Sequence, residues 1–275
     1  NGFVTSFKSR FCADGSRVHD DPDDVYAPTA RSSSINTVFT LARQHDVTPW
    51  VGDVSSVSVQ AEMPKDDWLY YMTQLEGFVD PDHSDHVILL EKAIYRVPQA
   101  GQQWGNLFAS VLTEEVGFQR SAADPCLYRL DDGDHHMVMA VVVDDICCYS
   151  TSDHLRSRVF DQLKTRFDLK VIGLCEWFLG SRIQHNYVGS FMDQRSYLLN
   201  LIKQYNEYGL KKCDTPSIPS QILKPPEADE TPTKFPYAKL VGSLIWLVKS
   251  RPDIAYAVSQ CSRYQSSHTD VHDCA

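Results

Sequence analysis

The chain has 275 residues, with 26 Lys or Arg against 36 Asp or Glu, for a formal charge of −10. Its 43% hydrophobic content can build a sizeable core, which excludes disorder as the dominant state. No apolar run approaches the ~20 residues of a membrane span, and the acidic balance excludes bulk electrostatic capture of nucleic acid while leaving room for a local basic channel.

The Asn1-Gly2-Phe3 start has neither an initiator Met nor a signal-peptide layout, so the chain reads as a soluble piece of something longer. Eight cysteines occur without a Cys-x-x-Cys pair, which points to a reducing compartment rather than a zinc site or a disulfide scaffold.

Taken in order, residues 14–24 carry five aspartates and read as a loop. The run Ser32 to Ser34 can cap a helix whose apolar positions Ile35, Val38, Phe39 and Ala42 share one face. A strand is expected over 50–59 and another over 87–90. Trp104, Leu107, Phe108, Val111, Leu112 and Val116 repeat the helical spacing until Gly117 stops it. Strands are expected over 126–130 and, as a hairpin, over 137–149. Leu155, Val159, Leu163 and Phe167 mark a third helix, and Tyr197, Leu198, Leu201, Ile202 and Tyr205 a fourth that ends at Gly209. Residues 213–236 hold six prolines and should form an irregular connection. Pro252 opens a last helix through Ile254, Ala257, Val258 and Cys261. Strands and helices mixed without strict alternation indicate an α+β fold.

The chemistry concentrates at Asp144-Asp145, two carboxylates set inside an apolar run from Met137 to Tyr149. Ionised acids in such surroundings cost several kcal/mol unless they are paired or bind a metal. A favoured hairpin turn is the alternative explanation of the same pair. Asp53 interrupts a second apolar stretch. If its strand lies beside the hairpin, three carboxylates converge into an oxygen-rich site suited to Mg²⁺. Two such metals activate an attacking hydroxyl and stabilise a leaving pyrophosphate.

With these residues in place, the whole chain resembles the reverse transcriptase region of copia-type LTR retrotransposon polyproteins. In family order, Lys8-Ser-Arg10 is similar to Lys-Ala-Arg, and Tyr26-Ala-Pro-Thr-Ala-Arg31-Ser-Ser-Ser-Ile35 to Phe-Ala-Pro-Val-Ala-Arg-x-x-Ser-Ile. Asp53-Val54 stands at the first catalytic Asp-Val, and Glu76-Gly-Phe78 at Pro-Glu-Gly-Phe. Leu90-Glu-Lys-Ala-Ile-Tyr95, Gln99-Ala100 and Trp104 follow the Leu-Lys-Lys-Ala-Leu-Tyr…Gln-Ala…Trp block, and Asp124-Pro-Cys-Leu-Tyr128 is nearly identical to its counterpart. Val142-Val-Asp-Asp-Ile146, Phe178-Leu-Gly180, Leu240-Val-Gly-Ser-Leu244 and Arg251-Pro-Asp-Ile-Ala-Tyr-Ala-Val258 complete the series.

The resemblance implies an RNA-directed DNA polymerase with a right-hand architecture of fingers, ferredoxin-like palm and helical thumb. Fingers would span 1–45, truncated N-terminally, and 61–98; palm 46–60, with the first catalytic strand, and 99–188, with the Asp-Asp hairpin and primer grip. The thumb and following helices would occupy 189–275. Asp53, Asp144 and Asp145 would be catalytic, holding Mg²⁺, with Mn²⁺ as a substitute, together with the Val54 carbonyl. Lys8, Arg10, Ser58 and Gln99 would bind the nucleotide, Arg suiting bidentate contact with phosphate. Trp177, Phe178, Leu179 and Gly180 would form the primer grip, and Lys203, Lys211 and Lys212 could contact phosphates. Read without the family, Lys8 and Arg10 are charges on a solvated strand, Gln99 a helix-start residue, Trp177 to Gly180 core, and the three lysines a solvated face. Partners would be an RNA or DNA template with its primer, dNTPs, and a flanking ribonuclease H and integrase lying beyond this chain, with no membrane. The setting would be intracellular, in cytoplasm or a virus-like particle.

Several positions depart from the family pattern. Ser58 stands five residues after Asp53, where an aromatic normally blocks a ribose 2′-hydroxyl, and Val142 replaces a Tyr. Gly101-Gln-Gln replaces Pro-Arg-Ala, Gly105 an aromatic, and Glu176 and Asp14 each a Lys. A decayed or repurposed, non-catalytic domain that binds nucleic acid or protein is therefore the alternative reading. A two-metal nuclease or template-independent nucleotidyltransferase is a third.

Overall fold

The computed structural model describes residues 11–14, 25–63, 70–186, 189–209, 212–217, 222–226 and 233–273. Two compact units emerge, one drawn from Asn1–Glu176 and His185–Ser190, the other from Trp177–Gln184 and Phe191–Ala275. Most of the expected aspartate-rich loop at 14–24 lies outside the described residues.

In the first unit, α1 (Ser32–Gln44) precedes β1 (Trp50–Val54), and a small hairpin pairs β2 (Tyr71–Thr73) with β3 (Val87–Leu89). Next come α2 (Ala100–Ser110), β4 (Gln119–Arg120), β5 (Leu127–Asp132), β6 (His135–Val142), β7 (Asp145–Ser150), α3 (Asp153–Arg166) and β8 (Leu169–Leu174). The main sheet has six strands in the order β4-β5-β6-β7-β1-β8, and its neighbours run antiparallel. Strand β1 therefore enters between β7 and β8, far from its neighbours in sequence.

The unbroken apolar run of β6 and β7 follows from burial on both faces. Met137, Met139, Ile146 and Cys148 point into a core shared with Trp104 and Phe108 of α2 and Leu155, Val159 and Leu163 of α3. Alternate residues Val138, Ala140, Cys147 and Tyr149 are equally buried on the opposite face, the one available to α1. The expected periodicities of α1 and α3 hold, with Ile35, Val38, Phe39 and Ala42 buried on one and Leu155, Val159 and Leu163 on the other. Ser152 caps α3 by accepting the Leu155 amide at 3.3 Å.

Four expectations need adjusting. The strand expected over 50–59 stops at Val54, because Ser56 turns left-handed at φ +55° and Val57–Val59 winds into a 3₁₀ turn that buries Val57. Helix α2 starts at Ala100, earlier than its apolar spacing indicated, and ends in a π turn over Val111–Val116 before the expected stop at Gly117. The strand expected over 126–130 begins at Leu127, since the Asp124 carboxylate captures the Cys126 amide at 2.9 Å. The strand expected over 87–90 stops at Leu89.

That carboxylate also accepts the Arg31 amide at 2.9 Å and the Ser34 hydroxyl at 2.5 Å, so it joins the start of α1 to a turn some ninety residues later. Burial alone would raise the Asp124 pKa, but the Ser34 hydroxyl and the Arg31 and Cys126 amides outweigh it and hold it below the usual carboxylate value. A depressed folded-state pKa means stability that is present above the unfolded value of 3.8 and lost as pH falls through the folded one. Asp124→Asn turns an amide NH₂ toward one set of donors. It should cost about 2 kcal/mol at pH 7 in urea titrations, shrinking toward acid pH.

The second unit holds β9 (Trp177–Phe178) and, apart from His185 and Ser190, the strands β10 (Ser181–His185) and β11 (Ser190–Asp193) of a three-stranded sheet of order β11-β10-β9. Its helices are α4 (Arg195–Tyr205), α5 (Tyr237–Leu247), α6 (Ala255–Ser262) and α7 (Asp270–Asp273). Leu201 and Tyr205 of α4 bury against Leu247 of α5, and the buried Gln194 side chain ties their ends by donating to the Trp246 carbonyl and accepting from the Ser250 hydroxyl. Gly209 closes the α4 region in a left-handed conformation, and Pro252 opens a 3₁₀ turn leading into α6, both as expected. Described residues of 213–236 form no helix or strand. Among the described residues no helix is long and apolar enough to cross a membrane.

Candidate functional site

The register of the main sheet decides which acids meet. Asp53 of β1 lies directly opposite Asp145 of β7, and the Val54 amide donates to the Asp144 carbonyl at 2.9 Å. Directly opposed residues of an antiparallel pair share a face, with Cβ atoms roughly 5 Å apart. Lys170 of β8 lies opposite Asp53 on its other side, so Asp145, Asp53 and Lys170 form a row across three strands. This face is the one turned away from α2 and α3, since Val54 and Leu169, one position along, point into that core.

Asp144 occupies the two-residue turn between β6 and β7, and all three acids are half-buried. Desolvation, followed by the charges of Asp144 and Asp53, pushes the Asp145 carboxyl up to about 6. The three acids therefore share one electrostatic field. Among the described residues, however, no three His, Cys, Asp or Glu side chains stand close enough to form a ready metal cluster. A Mg²⁺ site does not require one. Mg²⁺ keeps waters and uses one or two carboxylates plus substrate phosphates rather than an all-protein cage, and these hard oxygen donors suit it.

The Val54 side chain is buried in the core at the end of β1. Gln99 sits at the N-terminal boundary of α2, buried, with its Oε1 unpartnered among the described residues. Ser58 falls in the 3₁₀ turn after β1. Lys8, Arg10 and Lys211 lie outside the described residues; Lys203 is in the last turn of α4, and Lys212 falls in irregular chain. In the second unit, Trp177 and Phe178 pair with Arg182 and Ser181 around a turn in which Leu179 and Gly180 both have positive φ, +46° and +69°. Phe178 is buried and Trp177 exposed. The Trp246 ring lies so close that a Cβ at Gly180 would meet it at 3.4 Å.

Two neighbours escaped the sequence reading. Lys170 belongs to a strand broken by a register shift and by Gly173 at φ +121°, which hides its alternation. Trp104 reads as helix core, yet its indole N–H donates to the Val143 carbonyl at 2.7 Å.

Residues 2–220 match a family model described as reverse transcriptase (RNA-dependent DNA polymerase). The chain belongs to this reverse transcriptase family. It is 33% identical over 275 residues to the retrovirus-related Pol polyprotein from transposon RE2 of Arabidopsis thaliana, aligning over 99% of the chain and 18% of that protein. Against the polyprotein from transposon RE1 of the same plant it is 31% identical, again over 99% of the chain and 18% of the relative. A third relative, the polyprotein from transposon TNT 1-94 of Nicotiana tabacum, is 27% identical over 92% of the chain and 19% of its own length. The chain thus spans about a fifth of the length of these relatives. No solved structure matches it.

Proposed function

We propose that this chain is the polymerase body of a copia-type reverse transcriptase, extending a primer with dNTPs on an RNA or DNA template. The observation that carries the reading is the cross-strand register, which sets Asp53 against Asp145 and ties Val54 to Asp144. In this assignment the main sheet with α2 and α3 is the palm, residues 1–45 and 61–98 the fingers, and 189–275 the thumb.

Asp53 and Asp144 would hold Mg²⁺ or Mn²⁺ with the Val54 carbonyl, and Asp145 would serve as an accessory carboxylate. Held by these residues, divalent cations would supply a lowered pKa at the primer 3′-hydroxyl and positive charge against the transferred phosphate and leaving pyrophosphate. Lys8 and Arg10 would clamp the triphosphate, with Lys170 adding positive charge beside the acids. Gln99 would approach the sugar, and Trp177, Phe178, Leu179 and Gly180 would seat the primer end. A flanking ribonuclease H and integrase, as in a polyprotein, and an intracellular setting belong to the same proposal.

Primer extension on an RNA template with Mg²⁺ and with Mn²⁺, beside an Asp144→Asn variant, tests it. Extension that needs template and Asp144 supports the polymerase. Template-independent addition points to another nucleotidyltransferase, and a folded protein that binds primer-template without extending it points to a non-catalytic domain.

Ser58 makes a second test. A hydroxymethyl side chain cannot fill the volume of an aromatic ring, so the preference for dNTPs over rNTPs should be weak, and Ser58→Phe should raise it by about 10-fold or more. A steric exclusion worth about 1.4 kcal/mol already gives that factor. Single-nucleotide incorporation with each sugar checks this, and strong rejection of rNTPs by the unaltered chain would refute it.

A further inference from the structure

Val143 is the first of the two residues that turn β6 into β7, and it sits at φ +57°. Its partner in the turn, Asp144, is not among the residues with positive φ. A two-residue hairpin with this pattern takes glycine at its first position, because a β-branched side chain is strained there. Backbone strain of this kind persists only where the surroundings enforce it. Beside the strand register that closes the turn and the Val54 amide on the Asp144 carbonyl, the side-chain contact on this peptide is the 2.7 Å hydrogen bond from the Trp104 indole N–H to the Val143 carbonyl. Val143 itself is 48% exposed, so packing of its own side chain does not account for the conformation.

Trp104 is fixed in turn. It is 3% exposed, with its ring against Phe108 at 5.1 Å and edge-on to Phe167 at 5.3 Å between centroids. The carbonyl it grips belongs to the peptide linking Val143 to Asp144, immediately before Asp145. An indole anchored in the α2 core thus reaches through the end of the sheet to set the peptide plane from which the paired acids project.

We propose that Trp104 is a positioning residue for the acidic turn: its N–H holds Val143 left-handed and so orients Asp144 and Asp145 for a divalent cation. This rests on the reading of Asp53, Asp144 and Asp145 as a metal site. Outer partners that orient metal-binding side chains commonly govern affinity by about 10- to 100-fold.

The test titrates Mn²⁺ into the full chain and follows the free-ion electron paramagnetic resonance signal, with no substrate present. Trp104→Phe keeps an aromatic ring and removes the donor; it should weaken Mn²⁺ binding by about 10-fold. Adding Val143→Gly, which adopts the turn without strain, should restore affinity to near the unaltered level. Should Trp104→Phe fail to fold, 3-benzothienylalanine at position 104 keeps the bicyclic shape and lacks the N–H, and the same loss is expected. Unchanged Mn²⁺ affinity without the N–H, while Asp144→Asn abolishes binding, overturns the proposal and leaves the metal-site reading intact. A loss that Val143→Gly does not repair also overturns it, because general packing would then be the cause. Equal binding by the unaltered chain and Asp144→Asn overturns the metal-site reading, and this proposal with it.

Discussion

Asp144→Asn should lower the single-turnover rate of primer extension by about three orders of magnitude, or about 4 kcal/mol of barrier, while leaving the fold intact. Two features separate these effects. Asp144 lies in the turn after β6, where asparagine is as acceptable as aspartate, and its backbone carbonyl, which receives the Val54 amide at 2.9 Å, is unaffected by the change. Thermal unfolding should therefore move by no more than a couple of degrees. What disappears is one carboxylate beside Asp53 and Asp145, which the cations accompanying an incoming triphosphate would need as a ligand. Rapid-quench measurement at saturating dNTP gives the rate. A fall of less than 10-fold would show that chemistry at this site does not depend on that carboxylate.

Asp145→Asn should stabilise the folded chain at pH 7 by about 1 kcal/mol, since solvent screens part of the repulsion at a half-exposed carboxylate. The Asp145 carboxyl is pushed up from 3.8 to about 6 by desolvation and by the charges of Asp144 and Asp53. A raised folded-state pKa means that the folded chain holds the proton more tightly than the unfolded one. Its contribution is fully present below pH 4, is lost as pH rises through about 6, and remains absent above it. Asparagine stays neutral throughout. The variant and the unaltered chain should therefore agree in urea midpoint at acid pH and diverge between pH 4 and 7. Mg²⁺ should narrow the gap at pH 7, since a cation that binds the folded acids stabilises only the chain that keeps them. A gap independent of pH would show that the Asp145 charge is not the source. A site that destabilises its own fold in this way is expected where function requires like charges to be held together.

Much of this arrangement is legible before any coordinates. The apolar run around Asp144-Asp145 announces a hairpin because β6 and β7 are covered on both faces, and the helical faces of α1 and α3 carry clear periodic spacing. The direct opposition of Asp53 and Asp145 is not legible, because pairing between strands some ninety residues apart is a tertiary choice with no local mark. Lys170 is hidden by a register shift, and Trp104 by being apolar in pattern while carrying one polar atom. Helix α5 escapes because Tyr237–Leu247 is apolar nearly all round, and a helix without a polar face shows no period.

The bond between Ser34 and Asp124 also constrains how such a chain can drift. Replacing Ser34 leaves the Asp124 carboxylate its two backbone amides, whereas replacing Asp124 strands the Ser34 hydroxyl and the Arg31 and Cys126 amides together. Substitutions at Ser34 should therefore be tolerated more readily than substitutions at Asp124. In a lineage of copies that still folds, position 34 should therefore vary while position 124 keeps its carboxylate, and a changed Asp124 would mark a copy whose α1 has lost its tie to the turn before β5.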